Sequence, residues 1–231
     1  MDQLLVLSDM DDAFRNSLWR TVTEELGFEF IEEEELESSG QGEYSPGDSL
    51  DIIEKGVCAS SKDADDQDIH QTVDNQTNSF WSSVGSDDAD IVESLVYKLN
   101  GPVSIVDRVA LTVHRASYQP GAPIYPPEYI QFGVGVPDNL TVSPKMRVTR
   151  TAETQVFNLK AEGLSMAGPY LVVFFHGALQ KQYEDNRFYL AIEKISALGE
   201  RCNTPQRLWR FKESSMGNSK DGVDLAKYLS S

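Results

Sequence analysis

Cysteine and histidine are scarce in this 231-residue chain, at two and three copies. His70, His114 and His176 lie far apart and none stands in an HExxH or HxH setting, so no metal site is expected. His176 closes the apolar run LVVFFH and is read as a strand-end residue. Cys58 and Cys202 flank the strand-rich part of the chain, where a bridge between first and last strands is conceivable. In a reducing compartment two buried thiols are expected instead. No apolar run reaches the roughly 18 residues that a membrane-spanning helix needs. The opening MDQLLVLSDMDD has neither the basic start of a secretory signal nor the arginines of a transit peptide, so a cytoplasmic or nuclear address is expected.

The signatures of common catalytic sites are missing too. There is no P-loop, no GxSxG elbow and no Rossmann fingerprint after a strand. Gly133 and Gly135 in FGVGVP have the wrong spacing and fall inside a strand pattern, where glycine marks a bulge or a close backbone approach. With no base, nucleophile or metal set converging, the chain is expected not to be an enzyme and to need no cofactor. Basic residues are short in one half only. Residues 1–100 carry 25 Asp and Glu against 5 Lys and Arg, whereas residues 101–231 carry 12 against 15. Such an acidic half argues against nucleic acid as a partner, because phosphate contacts need clustered Lys and Arg. It reads as a solvated acidic segment or as a docking site for a basic partner.

Four regions follow from the patterning. Asp9 to Phe30 places Phe14, Leu18 or Trp19, Val22 and Leu26 at helical spacing, with Gly27 as a C-cap, and predicts a helical segment over 1–30. Residues 31–50 are acidic and then rich in Ser, Gly and Pro, the composition of a linker. From 51 to 200 short β-rich runs alternate with turns. The runs are SLVYKL (94–99), SIVDRVALTVHRASY (104–118), YIQFGVGV (129–136), TQVFNL (154–159), YLVVFFHGAL (170–179) and RFYLAIEKISAL (187–198). The spacing and the lack of crossover helices predict a mainly β, antiparallel, jelly-roll-like sandwich. Residues 201–231 form a tail with the basic and aromatic cluster RLWRFK.

Several of these motifs carry a resemblance. The run CASSKDADD, the loop and strand NSFWSSVGSDDADIVESLVYKL, the corner SYQPGAPIYPPEYIQFGVGV and the closing strands YLVVFFHGALQKQ and RFYLAIEKISALG span about residues 56–199. Together they resemble the C-terminal β-sandwich of plant-type F-box proteins, itself similar to the galactose-binding, discoidin-like jelly roll. NSLWRTVTEELGF at 16–28 resembles the element that trails an F-box, while the preceding F-box helices are absent from this sequence. The resemblance implies a recognition domain related to the substrate receptors of cullin-based ubiquitin ligases. It binds a protein partner through loops at one end of the sandwich. A link to the ligase itself is implied only if an F-box lies upstream. The galactose-binding-like fold implies a second reading, a carbohydrate-binding, lectin-like domain. Neither implies a membrane.

Candidate binding residues come from two loops. Tyr118, Tyr125 and Tyr129 surround the Pro-rich corner and offer aromatic faces for a ligand. Asp87, Asp88 and Asp90 carry oxygens of the kind calcium takes, without the spacing, glycine and distal Glu of an EF-hand loop. Trp81 is assigned a structural role, plugging the core at the entry of a strand, and Trp19 a structural role in the N-terminal helix.

Overall fold

The run YLVVFFHGA is apolar at nearly every position, a pattern suited to a strand covered on both faces. In the computed structural model it forms the middle strand of a sheet. The structure describes residues 51–74, 79–136, 139–164 and 166–202. The helix expected over 1–30 with Trp19, the 31–50 linker and the RLWRFK part of the tail lie outside the described residues.

Eleven strands follow one another in the described residues. They are β1 (Ile53–Ala59), β2 (Trp81–Ser82), β3 (Val92–Leu99), β4 (Ser104–Val113), β5 (Pro127–Val136), β6 (Asn139–Val142), β7 (Met146–Arg147), β8 (Gln155–Asn158), β9 (Met166–Gly168), β10 (Tyr170–Ala178) and β11 (Ala191–Arg201). One sheet has the order β1-β3-β10-β5-β6, with β7 also paired to β5, and the other has the order β2-β11-β4-β8, with β9 also paired to β4. Every pairing is antiparallel. The fold is therefore the antiparallel, jelly-roll-like sandwich that the patterning predicts.

The two sheets meet through alternate side chains, as the period of a strand requires. Leu95, Tyr97 and Leu99 of β3 and Leu171, Val173 and Phe175 of β10 share one cluster with Val109, Leu111 and Val113 of β4 and Ile192, Ile195 and Ala197 of β11. The other faces of β3 and β10 contribute Val96, Val172 and Phe174 to a second cluster with Val57 and Cys58 of β1. Trp81 is 0% exposed. Its ring stacks on Phe175 with centroids 5.8 Å apart, and Nε1 donates to the Ser61 carbonyl at 2.8 Å. The buried Tyr97 hydroxyl is satisfied in the same way, 2.7 Å from Thr72 Oγ1.

One expectation changes, and the expectation of two buried thiols over a disulfide holds. The strand expected over 104–118 stops at Val113, because the chain then folds back on itself through an isolated bridge between Arg115 and Ile124. A disulfide between first and last strands is ruled out by direction, although β1 and β11 do approach one another. Asp51 forms an antiparallel bridge with Leu198. From that bridge Cys58 lies one way along β1 and Cys202 the other way past β11, far beyond the roughly 7 Å that a disulfide can span. Both are buried thiols.

Candidate functional site

Antiparallel pairing gathers the loops that follow β1, β4 and β10 at the end of the sandwich where β3, β5 and β11 begin. There they enclose a cavity of about 240 Å³. The β4–β5 loop supplies most of one wall. It is closed on itself by Ala116 N–H donating to Pro123 O at 2.9 Å and by Gln119 N–H donating to Ala116 O at 3.0 Å. This puts Tyr118 at an exposed turn, 68% accessible, and Tyr125 beneath it, 4% accessible. The Tyr125 carbonyl accepts from Ala191 N–H at 3.0 Å, which ties the loop to the start of β11. The β1–β2 loop brings Asp63 and Gln67, held by Asp63 N–H donating to Ser82 O at 3.0 Å. The β10–β11 loop brings Gln182, Glu184 and Tyr189.

At the base lies an unusual histidine. His114 is 4% exposed and stacks on Phe80 at 3.8 Å between centroids with the planes 9° apart. Neither ring nitrogen has a hydrogen-bond partner among the described residues. The nearest carboxylate, Glu193, stands 3.7 Å from Nδ1, too far for a hydrogen bond. Burial drives its pKa down to about 4, so at neutral pH the ring carries one N–H donor and one bare nitrogen. Gln67 Oε1 is likewise buried without a partner. Natural structures satisfy most buried polar atoms, so three unsatisfied atoms beside one cavity point to a ligand.

The phenols of the site are already engaged. Tyr125 donates to Gln119 Oε1, and Tyr189 donates to Asp185 Oδ2 at 2.6 Å. Tyr125 and Tyr189 meet edge to face at 6.5 Å. Gly85 makes this possible, since a Cβ there would overlap the Tyr189 phenol. Burial raises the Tyr118 and Tyr189 hydroxyls, and the negative charges of Asp63 and Glu184 at the first and Asp185 at the second add to it.

The candidate residues read from sequence divide. Tyr118 and Tyr125 line the cavity. Tyr129 does not: it lies within β5, with the Arg147 guanidinium 5.7 Å above its ring. A strand position beyond the corner points it away from the loops. Asp87, Asp88 and Asp90 form their own exposed turn, in which Asp90 N–H is capped by Asp88 Oδ1 at 3.0 Å and Asp87 pairs with Arg187 at 3.4 Å. They are absent from the cavity wall. Among the described residues no three His, Cys, Asp or Glu side chains are grouped to hold a metal ion. Phe80, His114, Gln67 and Tyr189 are the site residues that sequence reading misses. The one signal for Phe80 was its place beside Trp81.

No protein-family model matches the chain. Among curated proteins it is similar to an F-box protein of Arabidopsis thaliana, 26% identical over 179 residues, which covers 66% of this chain and 46% of that protein. The chain thus spans under half the length of that relative. Among solved structures it is similar to a putative chitobiase fragment from Bacteroides thetaiotaomicron, with TM-score 0.51, 12% identity, and coverage of 69% of this chain and 98% of the other. A family 32 CBM from C. perfringens, solved in complex with galactose, aligns with TM-score 0.46 and 12% identity over 61% of this chain and 90% of the other. The described sandwich shares its fold with the chitobiase fragment. Its sequence resembles part of a plant F-box protein.

Proposed function

We propose that the domain is a non-enzymatic carbohydrate-binding module whose ligand occupies the cavity at the loop end of the sandwich. The observation that carries this reading is His114, buried with both ring nitrogens unpaired at the base of an aromatic-walled cavity. A sugar hydroxyl both donates and accepts, so one ligand can satisfy the His114 N–H, its bare nitrogen and Gln67 Oε1 together. Each such atom otherwise keeps a desolvation penalty of about 1–3 kcal/mol. Tyr118 offers the exposed ring on which the apolar face of a pyranose can lie.

Glycan-array screening followed by calorimetry on the positives tests the reading. Tyr118→Ala is the informative variant, because its ring is exposed and its loss leaves the core intact. Affinity is expected to fall roughly tenfold or more, the loss of about 1.4 kcal/mol, with the melting temperature unchanged. An array without a single positive sinks the proposal.

A second reading rests on the similarity to the Arabidopsis F-box protein. In it the same loop end recognises a protein substrate on behalf of a cullin-based ligase. Capture of a protein partner by the full chain that Tyr118→Ala abolishes supports that reading, and capture that is unaffected by changes at the loop end removes it.

A further inference from the structure

The cavity is unbalanced in its hydrogen-bonding capacity. Of its three tyrosine hydroxyls, those of Tyr125 and Tyr189 spend their protons inside the protein, on Gln119 and Asp185, and that of Tyr118 stands at the exposed rim. What distinguishes the lining is its charge: it carries the carboxylates of Asp63 and Glu184, and the buried Gln67 Oε1 adds an acceptor without a partner. Among the described residues no Lys or Arg lines the cavity. Nearby cations are engaged elsewhere, with Lys62 on Asp65 and Asp68, Arg187 on Asp87, and Lys181 over the Phe188 ring. Among the described residues neither Asp63 nor Glu184 has a cationic partner.

An ammonium group complements such a lining better than a hydroxyl does, since it brings three donors, no acceptor and a positive charge. The exposed ring of Tyr118 presents a negative π-face that attracts the same charge. His114 offers no opposition, because its ring is neutral at pH 7. Burial raises the Asp63 carboxyl, and Asp185 raises it further, so negative charge is crowded at the mouth and a cation there relieves it.

We infer that the cavity selects an amine-bearing sugar, its ammonium held between Asp63 and Glu184 and its ring against Tyr118. This inference rests on the carbohydrate reading and narrows it. The experiment is calorimetric titration of the full chain with three matched sugars at low ionic strength: glucosamine oligomers, their N-acetylated counterparts and neutral glucose oligomers. The double variant Asp63→Asn, Glu184→Gln is titrated in parallel. Both side chains are exposed, so the variant is expected to keep its fold, as checked by its melting temperature. The amine form is expected to bind roughly tenfold tighter than the acetylated form, equivalent to about 1.4 kcal/mol. The double variant is expected to bind the two equally. Equal or tighter binding of the acetylated or neutral sugar by the unmodified chain overturns the inference and leaves the carbohydrate reading standing. Binding of none of the three, alongside a blank glycan array, overturns both.

Discussion

At His114 the proposed binding role and the stability of the fold pull in opposite directions. Among the described residues its two ring nitrogens are buried without partners, and ring contacts with Phe80 and Tyr118 compensate in part. Replacing it with Phe keeps a ring against Phe80 and removes the unsatisfied atoms. His114→Phe is therefore expected to stabilise the fold at pH 7 by on the order of 1 kcal/mol, measured by urea denaturation, while abolishing ligand binding. The same residue sets a pH dependence. Its folded pKa, about 4, lies below that of an unfolded histidine, so between those values the unfolded chain binds more protons. Stability must then fall as pH drops from about 6.5 to 4, by at most about 1.4 kcal/mol per pH unit for this one group. His176, also lowered to about 4 by burial and then Lys145, acts in the same direction and stays in the variant. A shallower slope for His114→Phe than for the parent across that window is the expected result; identical slopes would show that His114 does not titrate as its burial requires.

The strands differ in how openly the sequence announces them, and the difference is one of length and burial. β3, β4, β5, β10 and β11 are eight residues or longer and carry sustained apolar or alternating runs, so each is readable from its own residues. β2, β7 and β9 have two or three residues, too few for any period to show, and exist only because a neighbour is there to pair with. β9 also explains the glycines of FGVGVP. Gly135 of β5 has φ of 151°, in the region that favours glycine, and Gly168 at the end of β9 packs directly against its backbone. A close backbone approach was readable at Gly135; its partner, thirty residues on and on the other sheet, was not. Any Cβ at Gly168 would overlap the Gly135 Cα, with backbone on both sides and nothing flexible to give way. Gly168→Ala is expected to destabilise the domain by about 1–3 kcal/mol, the usual range for overpacking. An unchanged denaturation midpoint would mean that the two sheets are not held this closely. The cavity was hidden for a related reason. Phe80, His114 and Tyr189 come from loops that only the antiparallel closure of the sandwich brings together, and each on its own resembles an ordinary core aromatic. Tyr118 and Tyr125 share the cavity wall because both sit in one Pro-rich corner, whereas Tyr129 lies past the point where that corner becomes β5, a boundary that sequence proximity does not reveal.

Over the full chain, charge connects stability and recognition with opposite signs. The sequence has a formal net charge of −17 at pH 7, with the excess concentrated in residues 1–100. Like charges of that number repel in any compact state, and the repulsion is longer in range than the ion pairs of the described surface, most of which join exposed side chains worth little individually. Raising salt from 0.01 to 0.15 M shortens the Debye length from about 30 to about 8 Å. The folded state is then relieved of more repulsion than it loses in local pairing, so the melting temperature is expected to rise by a few degrees. Binding of an amine-bearing sugar depends on attraction between opposite charges at the cavity mouth, and the same change in salt is expected to weaken it several-fold. A neutral sugar held by stacking and hydrogen bonds has no such dependence. Thermal scans and titrations over one salt series therefore separate the two effects: rising stability with falling affinity is the signature of an acidic chain that recognises a cation. Rising stability with salt-independent affinity would assign the acidity to solvation alone.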